Sequence, residues 1–457
     1  MLAETPPERP RNWSELTPRE KRRWRFDRWR RAAAGIAFDS PEAEAAYQMR
    51  IERHIAALNV EEPDRVPVSA TAGLVPLREA GLDYHTAIYH PEKAVAAYAA
   101  FNRGHADELD SFASSFYSAI PARALDVLGL QAYAYPGRGM KEDAAGFQFV
   151  ESEYMLADEY DALIRDPSDF WLRTYLPRAY SIFDPFKALA PLTTVIGIQS
   201  MAFWPLAHPD MQALLERLLE AGRELSRYPA IAAAERVQAE AAGHPLLPPS
   251  GFVTAPFDTI GDTLRGTRGI LTDMLRRPDR LLQAMDVIAD LHISTILASP
   301  EAVEGLRVFI PLHKGSDGWM SEEQFLAFYW PSLKKVVDAL IAEGLQCYLF
   351  AEGTYNSRLD LVDEFPRGAV VWRFDRTDMA KAKRVLGASC CIEGNIPSSL
   401  LVTGSPAEVK AECCRLIEIC APGGGYILGS GATPEFPRLE NLKAMADAAR
   451  ECGGYPR

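Results

Sequence analysis

The chain has 457 residues, 48% hydrophobic and 24% charged, with a formal net charge of −13. That composition belongs to a folded globular protein, and the length suffices for one large domain with additions or for two. The acidic balance argues against nucleic acid or an anionic membrane surface as a partner, because little would neutralise phosphates.

The first residues, MLAETPPERPRNW, contain no apolar core of a signal peptide. KRRWRFDRWRR, Lys21 to Arg31, reads as the solvated face of an amphipathic helix with Trp24, Phe26 and Trp29 packed inward; the alternative is a polyanion-binding arm. Residues 1–60 form a helical N-terminal extension, and Pro63 and Pro67 mark its boundary. Eight strands are predicted after it: Val66–Ala70, Leu109–Ser115, Phe252–Phe257, Leu306–Leu312, Cys347–Glu352, Ala369–Phe374, Ser389–Glu393 and Tyr426–Gly429. Helical patterns separate them, including one from Pro91 and one from Glu322 that should kink at Trp330–Pro331. An insertion over about 130–248 holds a hairpin at FQFVESEYM and a helix at DMQALLERLLEAGREL. This order predicts an α/β chain in which residues 61–457 make one (β/α)8 TIM barrel with an insertion between strands two and three. No apolar stretch reaches the ~18–20 residues of a membrane span. All seven cysteines lie in the last quarter, an odd set that suits reduced thiols in a cytoplasm and offers no CxxC zinc knuckle.

Chemistry-bearing residues gather where the later strands end, the active face of such a barrel. His313 follows the fourth predicted strand, Glu352 ends the fifth, Arg373 and Asp375 end the sixth, and Glu393 ends the seventh. Strand alternation in AVVWRFD puts Val370, Trp372 and Phe374 under the outer helices and turns Arg373 and Asp375 inward. Each has a structural alternative: a hydrogen-bonded loop histidine, an internal Arg373–Asp375 ion pair, a turn or cap role for Asp317, core packing for Cys390 and Cys391. KAKRVLG and GSPAEVKAECC read as surface helices. APGGGYILGSGATP near the last strand can present backbone N–H groups to an anion, but no Walker A, GxGxxG, HExxH or GxSxG pattern sharpens the class. Phe116, Tyr117, Phe203 and Trp204 would wall an apolar pocket or pack in the core.

Taken in order, DRVPVSA, GFVTAPFDTIGDTLRG, HKGSDGWMSEEQFLAFYWP, YLFAEG, CIEGNIPSSLLVTGSPAEV and GGYILGSGATPEFPRLENLKAM resemble the uroporphyrinogen decarboxylase superfamily, including its corrinoid-linked methyltransferase branch. The resemblance covers about residues 62–450 and implies a (β/α)8 barrel, often paired as a homodimer. Members either decarboxylate a porphyrinogen or move methyl groups to or from a cobalt corrinoid. The arginine-rich N-terminal segment and second-strand aspartate of the decarboxylases are replaced here by PVSATAGLVP and LDSFASSF. The thiolate zinc ligands of the methyltransferases are replaced by Phe350, Glu352 and Ala432. What the resemblance then implies is a harder Zn site on His313 and Glu352, with Glu393, Asp317 or Asp375 nearby. Such a site suits O-demethylation of a methoxylated, perhaps aromatic, small molecule, the methyl group passing to cobalamin on a separate corrinoid protein; the DxHxxG pattern of a corrinoid module is absent. Two rivals stand beside it. One is a metal-independent decarboxylase or lyase in which Arg373 holds a carboxylate and His313 or Glu352 gives the proton. The other is a barrel that only binds or scaffolds.

Overall fold

In the computed structural model, which describes residues 8–115, 120–191, 200–362 and 364–455, seven of the eight predicted strands form. Chain order gives β1 (Val68–Ser69), β2 (Tyr133–Pro136), β3 (Gly139–Met140), β4 (Gln148–Phe149), β5 (Pro249–Phe252), β6 (Arg307–Leu312), β7 (Gln346–Ala351), β8 (Val370–Phe374), β9 (Cys391–Glu393) and β10 (Tyr426–Gly429). The main sheet runs β1-β10-β9-β8-β7-β6-β5, parallel throughout, with helices between strands. This is a TIM-barrel-like α/β fold, open between β5 and β1 rather than closed by an eighth strand.

The missing strand is Leu109–Ser115. Leu109 still belongs to the helix Pro91–Leu109, and Asp110 then turns left-handed with φ 50°. The polar segment that follows bonds to side chains instead of a neighbouring strand: Asn102 brackets Ala113, Ser111 Oγ donates to the Ala70 carbonyl, and Glu235 receives the Ser115 N–H. The third predicted strand is also shifted. Pro256 starts a helical stretch over 256–264, so the strand stops at Phe252. Inside the insertion, Gln148–Phe149 pairs antiparallel with Tyr133–Ala134, so the hairpin's partner strand lies outside FQFVESEYM. The helix Pro209–Leu225 forms as predicted, and so do Met379–Leu386 and Pro406–Cys420. The kink expected at Trp330–Pro331 takes the form of a π-helical turn at Phe325–Tyr329, just where Pro331 removes a backbone donor.

Alternation along the strands separates two apolar layers. Val308, Ile310, Leu349, Ala351, Ile392 and Leu428 pack beneath the outer helices, together with Val370, Trp372 and Phe374 as predicted. Tyr348, Val371, Cys391 and Ile427 face the axis, where Phe26, Trp29, Tyr47, Ile51, Ile55 and Leu58 meet them. The helices Pro18–Arg31 and Pro41–Leu58 therefore plug the end of the barrel at which the strands begin. The basic run is not simply a solvated face: Lys21, Arg22 and Arg25 are buried. Arg25 donates to the carbonyls of Ala302, Gly305 and Glu343, and Lys21 to Ala342 and Glu343.

Two further readings change. Cys414 and Cys452 form a disulfide, so not all the cysteines are thiols; Cys347, Cys390, Cys391, Cys413 and Cys420 are free and buried. Helix Pro278–Ala298 is long and apolar enough to span a membrane by length and composition. It is nonetheless a barrel helix, burying Leu281, Ala284, Met285, Ile288 and Ile296 while Asp286 and Asp290 pair with Lys335 outside.

Candidate functional site

The end of β6 and the helical stretch 256–264 build the centre of the site together. Asp258 and Asp262 stand four residues apart on one helical face, aimed at the chain leaving β6. The Asp258 carboxylate is fully buried and accepts the His313 N–H at 2.9 Å, the Lys314 N–H at 2.9 Å and the Tyr329 hydroxyl at 2.6 Å. It thus fixes the turn that presents His313. Burial, and then the neighbouring charge of Asp262, push the Asp258 carboxyl up to about 6.

His313 lies between two carboxylates. Its Nδ1 hydrogen-bonds Asp262 at 2.7 Å, and its Nε2 lies 3.8 Å from Glu352 Oε1. Lys314 Nζ pairs with the other oxygen of Asp262. Burial works against the imidazolium, but the Asp262 hydrogen bond and the charges of Asp258 and Glu352 outweigh it and raise His313 to about 9. Burial raises Glu352 above the usual carboxylate range, opposed by His313 and helped by Asp375. Asp262 falls below that range despite its burial, held there by His313 and Lys314. The 3.8 Å gap is too long for a hydrogen bond, so Nε2 is the nitrogen left to meet a substrate atom.

The other candidates take different places. Asp375 accepts the Gly353 N–H at 3.1 Å and the Ala432 N–H at 3.1 Å, tying the loops after β7 and β10 across the rim. Arg373 points inward as the alternation requires. It makes no ion pair with Asp375, which meets Arg376 instead; Arg373 donates to the Gly431 carbonyl at 2.9 Å and lies 4.6 Å over the Phe350 ring. Burial depresses the Arg373 guanidinium, but neighbouring Tyr348 and Glu393 prevail and leave it raised. Glu393 pairs in register with Arg373, one layer below Glu352, and lines a lower cavity of about 170 Å³ with Arg307 and His54. Asp317 accepts the Asn356 N–H at 2.8 Å and the Ser357 hydroxyl at 3.0 Å, organising the loop after β7.

Aromatic rings line the lumen below His313. Phe252 and Phe309 have centroids 5.8 Å apart, Phe309 and Phe350 stack at 6.5 Å, and Phe252 remains 59% exposed, so this wall is open to a ligand. Phe203 and Trp204 are exposed on the insertion; Phe116 and Tyr117 lie outside the described residues. As a metal centre, His313 and Glu352 supply two donors, one fewer than an open catalytic zinc site takes, and no group of three or more donors gathers among the described residues. The pair alone falls one ligand short of that geometry.

Sequence reasoning missed Asp258, Asp262, Lys314 and Tyr329. The signal was in PFDTIGD, two acids at helical spacing behind a proline, but it is visible only once the segment is recognised as helix rather than strand.

Comparison with known proteins agrees with this architecture. The uroporphyrinogen decarboxylase (URO-D) family model matches residues 207–452. Over 231 residues the chain is 29% identical to the uroporphyrinogen decarboxylase of Mycobacterium tuberculosis (strain ATCC 25618 / H37Rv), covering 45% of this chain and 61% of that protein. Over 196 residues it is 24% identical to the uroporphyrinogen decarboxylase of Chlorobium phaeovibrioides, covering 39% of this chain and 51% of the relative. The chain thus spans between half and two thirds of the length of these curated relatives. Among solved structures, a methyltransferase from Methanosarcina mazei superposes with a TM-score of 0.54 at 18% identity, over 88% of this chain and 98% of that one. That likeness is one of fold.

Proposed function

The chain belongs to the uroporphyrinogen decarboxylase family, and from that premise we propose that it is a methyltransferase component that demethylates a methoxylated aromatic small molecule. The observation that carries this reading is His313, an imidazole held protonated near neutrality with one nitrogen anchored on Asp262 and the other facing the lumen. The substrate ring would lie against Phe309 and Phe350, with its methoxy oxygen at His313 Nε2. As the O–CH3 bond breaks, the electron pair stays on oxygen and His313 delivers the proton that makes the product a phenol. An acid of about 9 lies close to the pKa of a phenol, as efficient general acid catalysis requires. Glu352, partly exposed at the rim, then relays a proton back to Nε2 from solvent. Asp262 holds the ring orientation throughout and does not itself transfer a proton.

The methyl group needs an acceptor that this chain does not carry. A corrinoid protein docked over the mouth would supply it as cobalt(I), a nucleophile that takes the methyl group. Against a porphyrinogen substrate stands the lining itself. β1 runs on through buried Ala70, Ala72 and Leu74 with no arginine to meet a polycarboxylate.

A second reading, a decarboxylase or lyase of a small carboxylated substrate, draws on one observation: Arg373 Nε is buried without a hydrogen-bond partner. The names of the curated relatives point the same way.

One experiment separates the readings. Purified protein is incubated with methoxylated aromatics and cob(I)alamin, following methylcobalamin by absorbance, and in parallel with carboxylated aromatics, following CO2. Methylcobalamin formation that falls by a factor of ~10²–10⁴ in His313→Gln supports methyl transfer. CO2 release that depends on Arg373 would replace it, and full activity in His313→Gln would end it.

A further inference from the structure

At the opposite end of the barrel, the plug helix Pro18–Arg31 leaves several guanidinium groups over after its contacts with the floor are made. Arg19, Arg22, Arg23 and Arg30 line one groove of about 500 Å³ with Arg367, and Glu61 is the carboxylate in that lining. Arg30 is engaged by Asp27 and Glu52. Arg367 donates to the carbonyls of Asn59 and Val60, which fixes the loop entering β8 as the far wall. Arg22 is only 4% exposed. Its Nη2 donates to the Arg367 carbonyl at 2.6 Å, while Nη1 on the same guanidinium is buried without any hydrogen-bond partner.

A buried, charged donor with no acceptor is costly, and a second like charge beside it adds to the cost. Burial, and then the charge of Arg19, press the Arg22 guanidinium below its ordinary value. In a chain of net charge −13, five arginines converging on one groove are a marked local exception. Guanidinium forks at this density match the oxygens of phosphate groups, bidentate and charge-assisted.

We propose that this groove is a binding site for a small phosphorylated molecule, one presenting a diphosphate or two phosphate groups, held at the end of the barrel away from His313. Arg22 Nη1 contacts one phosphate oxygen from the groove floor, and Arg19 and Arg23, both exposed on the helix, close on the outer oxygens. The volume is that of a metabolite pocket. A long polyanion is disfavoured by the overall net charge of −13.

The test is titration calorimetry on the full chain with inorganic pyrophosphate at low salt. The expected result is one site per chain with micromolar affinity, weakened at least about tenfold in the double variant Arg19→Gln, Arg23→Gln. Those side chains are exposed, so the melting temperature should not move. Arg268→Gln with Arg276→Gln, which removes two arginines from a separate surface groove, should bind as the wild type does. No heat up to millimolar pyrophosphate overturns the proposal, as does unchanged affinity in the Arg19, Arg23 variant or loss confined to the Arg268, Arg276 variant. Binding of phosphatidylserine vesicles or a single-stranded oligonucleotide more tightly than pyrophosphate would also overturn it, by assigning the groove to a membrane or a nucleic acid.

Discussion

Arg25, buried at the floor of the barrel, and His313, partly exposed at its mouth, are both cations, and they are stabilised differently. Arg25 is 4% exposed and directs its donors at backbone carbonyls of Ala302, Gly305 and Glu343. Those acceptors are dipoles that never titrate, and although burial lowers the Arg25 guanidinium to about 10 it stays charged through neutrality. His313 faces Asp262, Asp258 and Glu352, groups whose own ionisation responds to it. The floor is a clamp; the mouth is a set of coupled sites in which a proton can move without the fold changing.

The sharpest way to break that contrast is to remove the carboxylate under the mouth. Asp258→Ala strips two buried donors and one partly buried donor of their acceptor, and at roughly 1–3 kcal/mol for each group left unsatisfied the loss should be at least about 3 kcal/mol in urea unfolding, with activity lost alongside. The same residue has a pH signature. The folded chain binds this proton more tightly than an ordinary aspartate of 3.8, so the stabilisation is complete below about 4 and lost as pH rises through about 6. In Asp258→Asn that slope should vanish. At the floor, Arg25→Met should cost roughly 2–3 kcal/mol through orphaned carbonyls and leave turnover per folded molecule untouched; a fall in kcat would tie the two ends together.

A smaller effect is expected from pH on the rate. With His313 as the acid, kcat/KM should fall above about 9, and this limb should disappear in His313→Gln. The smallest expected effect is that of chelation. With two donors at the mouth, dialysis against EDTA should leave turnover within a factor of about two, and a larger loss would mean that substrate or a docked partner completes a metal site there.

Much of this division was legible in the sequence where alternation decides. Trp372 and Phe374 outward with Arg373 and Asp375 inward follows from period two alone, while His313 and Glu352 are placed by where two successive apolar runs stop. Segments whose apolar pattern fits two periods are less legible. FVTAPF looks like strand until Pro256 is read as a helix start, and that error hid Asp258 and Asp262. LDSFASSF has strand composition, but its serines and Asp110 find side-chain partners that outcompete a ladder. The burial of Lys21, Arg22 and Arg25 was invisible because their acceptors lie more than 270 residues away.

That last separation bears on how the molecule assembles. Trp13 donates to Glu343 across 330 positions and Lys21 reaches the same carboxylate across 322, so the helix Pro18–Arg31 can take its seat only after a segment more than 300 residues further along has formed. On a ribosome that arginine-rich helix must wait, exposed, until Glu343 has emerged. Such non-local closure slows folding and lengthens the period in which the open end of the sheet is vulnerable to mispairing.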